Sequence, residues 1–188
     1  MSTAQLSSSP SDIVPGNVFP QDRVEGNLAR LQALDATTAA ELFSNMFASA
    51  TLGNAFVGAF PLSNTEQAMQ ALAAVHQQAS QEQLRAAIMA HPPIGQAVAP
   101  GSRSAHEQQV AQQDVVTLRK IQHLNDLYQQ RFGYVFLIKA AGLSATEILD
   151  QLQQRLHNDP ASEWEIACQE FLAINQYRLA QFLALPQT

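Results

Sequence analysis

SEWEIACQEFLAINQYRLAQFL, residues 162–183, decides the fold. Trp164, Cys168, Phe171 and Ile174 recur at steps of three or four, and Phe182 follows two such steps on, the spacing of one helix face. Ser162 and Glu165 form an S-x-x-E start signal. The same stripe passes through Arg178, so a guanidinium falls on the apolar side of a core helix. Buried unpaired it would be costly, and it calls for a carboxylate or an anionic ligand. The plainer alternative is that Arg178 snorkels to water at the bundle edge.

Upstream, the same periodicity repeats. Val24, Leu28, Leu31 and Leu34 mark a helix over 24–34. A second follows Asp35 and carries Leu42, Phe43, Met46 and Phe47. Ser63-Asn64-Thr65-Glu66 and Ser144-Ala145-Thr146-Glu147 read as capping boxes opening two more. Another runs from Ser80 to about Met89, and a long one over roughly 103–130. One segment departs from the pattern. Phe132-Gly133-Tyr134-Val135-Phe136-Leu137-Ile138 is aromatic and β-branched, and reads as a short buried extended piece without a partner strand. The expectation is an all-α, single-domain helical bundle over 21–185, with a Ser/Pro-rich flexible leader over 1–20.

Composition narrows the function. Of 188 residues 46% are apolar and 14% charged, which argues against intrinsic disorder. The net charge of −6 argues against nucleic acid, which calls for a basic face. The sequence has no apolar run of the ~18 residues that a spanning helix needs, so no membrane partner is expected. The single Cys168 excludes an internal disulfide framework and a Cys-based zinc site. The N-terminus lacks a secretory pattern, and Pro186-Gln187-Thr188 is not a peroxisomal address, so a cytoplasmic location is expected.

Three further places carry candidate chemistry. In His91-Pro92-Pro93-Ile94-Gly95 the prolines stop a helix and hold an imidazole on a rigid corner, where it suits proton transfer; a histidine merely decorating a turn is the alternative. Ser104-Ala105-His106-Glu107-Gln108 opens the long helix, either as a plain capping box or as an anion site at a helix N-terminus. Asn125 is polar on the apolar stripe of Leu118, Ile121 and Tyr128, and reads as a buried tie to backbone. The five histidines show no spacing that pairs them as metal ligands.

The ordered set His91-Pro92-x-x-Gly95, Ser104-x-x-Glu107-Gln108, Leu124-Asn125-x-x-Tyr128-x-x-Arg131-Phe132-Gly133-x-x-Phe136-x-Ile138 and Arg178-Leu179 resembles the OHCU decarboxylases. The resemblance runs from about residue 28 to residue 182. It implies an all-helical homodimer, needing no cofactor or metal, that converts 2-oxo-4-hydroxy-4-carboxy-5-ureidoimidazoline (OHCU) to (S)-allantoin in urate breakdown. By position it implies His91, Ser104, Glu107 and Arg178 as the catalytic set. It implies substrate binding by Pro92, by Ala105, His106 and Gln108, and by the backbone of Phe136, Leu137, Ile138, Lys139 and Ala140. The family's histidine motif usually continues with Asp and Leu, where this chain has Pro93 and Ile94. A family S-P-W element is replaced by Ala50-Thr51-Leu52. A related enzyme acting on another ureido or imidazoline acid, or a helical scaffold without turnover, are the alternatives.

Overall fold

The computed structural model describes residues 21–94 and 115–184. Among them lie eight helices and no strand. In chain order these are α1 (Gln21–Gln32), α2 (Ala36–Phe47), α3 (Ala50–Val57), α4 (Thr65–Gln78), α5 (Gln81–Met89), α6 (Val115–Phe132), α7 (Ala145–Arg155) and α8 (Pro160–Ala184). The leader over 1–20 lies outside the described residues.

Local chemistry sets most of the boundaries. Ser80 and Ser144 make full capping boxes with Gln83 and Glu147. Two expected boxes are displaced. α4 is capped by Asn64, whose side chain accepts from Gln67 N at 2.9 Å, while Gln67 reaches back to Ser63 N. α8 is capped by Asp159, which accepts from the backbone N–H groups of Ala161 and Ser162. Pro160 then takes the first helical position, where its fixed φ helps and its missing N–H costs nothing. In both cases a neighbouring Asn or Asp, as good a cap as serine, holds the start instead.

α3 is a helix the periodicity did not separate from α2. Ala48 turns left-handed at φ 51° and ends α2, and the Ser49 hydroxyl accepts from Leu52 N to open α3. The two helices touch at Gly53. A Cβ there would lie 2.5 Å from Ser44 N, so only glycine permits this approach. Leu52, standing where the family tends to have tryptophan, is 1% exposed and fully enclosed.

The core has two aromatic centres. Phe43, Phe47, Phe56 and Phe60 interlock between α2 and α3, with centroids 4.7–5.9 Å apart. Tyr128, Phe132, Tyr134 and Phe136 pack beside Trp164. The second centre encloses the irregular segment. Gly133, at φ +75°, ends α6, and Tyr134 to Ile138 then run buried with no strand beside them.

Buried backbone without a ladder must find partners elsewhere. Arg155 supplies one, donating from Nη1 to Leu137 O at 2.7 Å. Its Nε and Nη2 grip Glu163 Oε1 at 2.8 and 2.7 Å, and its guanidinium lies 4.6 Å from the Phe136 ring centroid. Glu163, fully buried, also accepts from the Tyr128 hydroxyl and from Asn158 Nδ2. Removing one partner strands the other charge in the core. Arg155→Met is therefore expected to lower stability by about 3–5 kcal/mol in urea denaturation. A midpoint equal to wild type would show that this pair is solvated.

Candidate active site

α5 ends at Met89, and His91 N still closes a last turn onto Ile88 O at 3.1 Å. Pro92 and Pro93 then forbid helix, so the imidazole stands at a corner, as its sequence context demands. The ring is buried at 5% exposure. Its Nδ1 is 2.9 Å from Ala87 O and its Nε2 is 2.9 Å from Arg178 Nη1. A carbonyl can only accept and a guanidinium can only donate. The tautomer follows: Nδ1 carries the hydrogen, and Nε2 turns a lone pair toward Arg178.

Arg178 does not snorkel. It is 6% exposed, and its Nη1 also donates to Met46 O at 3.0 Å. That carbonyl belongs to the last turn of α2, whose carbonyls lack partners within the helix. The break at Ala48 thus leaves an acceptor where α8 presents its cation. Burial, and next the positive charge of Arg178, push His91 down to about 4, against the opposing bond to Ala87 O. At neutral pH the imidazole is a base with its lone pair already aimed.

The far end of the corner is tied as well. Asn125 Nδ2 donates to Ile94 O at 2.8 Å, the backbone tie expected of it. Pro93, Asn125 and Phe136 share the wall of a cavity of about 160 Å³, so the His91 corner and the segment beginning at Phe136 meet across it. Pro92 is half-buried beside His91. Lys139 is exposed; its backbone N–H donates to Glu170 Oε2 at 2.8 Å, and its ammonium lies 5.7 Å from the Tyr177 ring centroid. Leu137 O is held by Arg155, and Ala140 O accepts from Leu143 N. Among the described residues, the N–H groups of Tyr134, Val135, Phe136, Leu137, Ile138 and Ala140 find no hydrogen-bond partner, although all six residues are buried. Buried donors are nearly always paired, so a run of six leaves this segment with donors to offer, Ile138 and Ala140 among them. Ser104, Ala105, His106, Glu107 and Gln108 lie outside the described residues. Among the described residues no cluster of three or more His, Cys, Asp or Glu side chains is arranged to hold a metal.

A second buried polar pair escaped sequence reasoning. His76 Nε2 is 3.2 Å from Asn175 Nδ2, which can only donate. Phe171 lies between the two imidazoles, 4.9 Å from His76 and 5.3 Å from His91, centroid to centroid. Phe171, Asn175 and Arg178 follow one another along the buried face of α8. A polar residue on that apolar stripe was the available signal.

Comparison with known proteins follows the same outline. A family model described as OHCU decarboxylase matches residues 32–180. The Arabidopsis thaliana protein named "Uric acid degradation bifunctional protein TTL" is 34% identical over 106 residues, which are 52% of this chain and 33% of that protein. An Amia calva 2-oxo-4-hydroxy-4-carboxy-5-ureidoimidazoline decarboxylase is 39% identical over 69 residues, 37% of this chain and 39% of that protein. The chain thus spans 33% and 39% of the length of these two relatives. A crystal structure of an OHCU decarboxylase in the presence of (S)-allantoin superposes with TM-score 0.69 at 26% identity, covering 77% of this chain and 99% of that one.

The two buried imidazoles make stability depend on pH. Burial lowers His76, like His91, to about 4. Between about 4 and the ordinary value of 6.5 the unfolded chain binds protons that the folded chain refuses. Folding stability is therefore complete above about pH 6.5 and falls on acidification, by ~1.4 kcal/mol per pH unit for each histidine. Urea midpoints measured from pH 6.5 to 4.5 should fall steadily, and His76→Gln should flatten the slope. A level wild-type profile would contradict the buried, neutral state of both rings.

Proposed function

The chain belongs to the OHCU decarboxylase family, and on that premise we propose that it removes CO2 from OHCU to leave (S)-allantoin. The observation that carries this reading is the buried contact between a neutral His91 and Arg178. Loss of CO2 leaves an electron pair on a ring carbon, and the adjacent imine and carbonyl of the substrate can take it. The protein has to hold the carboxylate, stabilise the charge that develops, and deliver a proton to one face.

Arg178 supplies a buried positive charge for anionic oxygen in a site shielded from water. The unpaired N–H groups of Ile138 and Ala140 suit the same task. His91 enters the reaction with a lone pair and no proton on Nε2. It must therefore accept a proton before it can give one, which assigns it the base role first and the acid role second. Glu107 is proposed to accept from the substrate hydroxyl or ureido N–H groups, and Ser104 to donate to a substrate oxygen. Pro92, Ala105, His106, Gln108 and the segment Phe136 to Ala140 are proposed as the walls. The reading further includes a homodimer, turnover without cofactor or metal, and a cytoplasmic location. Among the described residues no helix is long and apolar enough to cross a membrane.

The test follows enzymatically generated OHCU in the presence of a chelator, recording both its decay and the chirality of the product. Wild type is expected to give enantiopure allantoin. His91→Asn should lower the rate by about 10²–10⁴-fold, the usual worth of a positioned acid–base group, and lose the stereochemical bias. Fast, enantiopure product from His91→Asn would refute the role given to His91.

A further inference from the structure

The geometry points to Glu170, acting with the buried Arg155–Glu163 pair, as a positioning residue that turns the backbone donors of the 137–140 segment toward the substrate; this rests on the function proposed above. The segment has no strand beside it, so nothing repetitive fixes its peptide planes. Two side-chain contacts do so instead. Arg155 holds Leu137 O at 2.7 Å, and Glu170 holds the Lys139 N–H at 2.8 Å. Among the described residues the only cis peptide is Phe60–Pro61, so the Leu137–Ile138 peptide is trans. In a trans peptide the C=O and the N–H point in opposite directions. With Leu137 O captured by Arg155, the Ile138 N–H faces away from the guanidinium. With the Lys139 N–H captured by Glu170, the Ile138 carbonyl faces away from that carboxylate. The donor at Ile138, and its neighbour at Ala140, are left without a protein partner among the described residues.

The anchors and the catalytic contact share one rigid element. Glu163 and Glu170 are seven residues apart on α8, about two turns, and so lie on one face. Phe171 and Arg178 repeat that interval one residue further on. A single helix therefore sets the register between the backbone donors and the His91–Arg178 pair. Glu170 is half-buried and its bond to Lys139 lies at the surface, where water could satisfy the same N–H. Its worth to stability is small on that account, while its worth to orientation is not.

Glu170 also permits a clean test, because its removal strands no buried charge. Glu170→Ala should keep the wild-type melting temperature within a few degrees. Its kcat for OHCU should fall about tenfold with KM within twofold, since loosening a donor costs less than the 10²–10³-fold of deleting one. Glu170→Gln, whose amide oxygen still accepts from Lys139 N, should recover most of kcat. Wild-type kcat in Glu170→Ala, or no recovery in Glu170→Gln, overturns the inference while leaving the proposed function standing. A wild-type protein that does not turn over OHCU overturns both.

Discussion

One buried guanidinium ties the site together. Arg178 lies on a core helix, donates to the last turn of α2 through Met46 O, and donates to Nε2 of His91 at the end of α5. Three elements distant in sequence thus converge on one cation. Burying a charge in this way is costly unless its donors are satisfied. The chain meets the demand with features that otherwise look incidental. The left-handed turn at Ala48 ends α2 and frees carbonyls, and the paired prolines stop the corner from continuing as helix. The same contact fixes the histidine's tautomer and, with burial, keeps it neutral.

A second buried charge organises the N-terminal half of α8. The Arg155–Glu163 pair, closed by Tyr128 and Asn158, gives the unladdered segment after Gly133 a carbonyl partner and an aromatic-lined bed. The two cations divide the work. One holds the His91 imidazole, and the other holds the backbone carbonyl of Leu137. Arg178 and Glu163, the partner of Arg155, both lie on α8, so its register relates the two contacts.

Much of this was legible in the sequence because it rests on period and on misfit. Helical spacing announced the all-α class, and polar residues at apolar positions announced Arg178 and Asn125. The irregular segment was visible as a β-branched, aromatic run among helices, and the structure gives it no strand partner. Arg155 was missed although it follows Ile148 and Leu152 at helical spacing, the same misfit that exposed Arg178. Glu163 is hidden in the sequence because Ser162 and Glu165 imitate a helix start; the Asp159-Pro160 pair is the better signal. α3 stayed hidden because a two-residue break leaves apolar spacing nearly continuous, and no periodicity reports a left-handed Ala48. Which residues converge could not be read from spacing at all. The 2.9 Å contact between His91 and Arg178 joins positions 87 residues apart.

The site depends on the protonation state of one ring. Long-range 1H–15N correlation spectra of the histidines at pH 6 report tautomer and charge directly. His91 is predicted to be neutral there, with its hydrogen on Nδ1 and an unprotonated Nε2. An imidazolium at that pH, or a hydrogen on Nε2, would mean that Arg178 does not donate to it and that the site is not built as described.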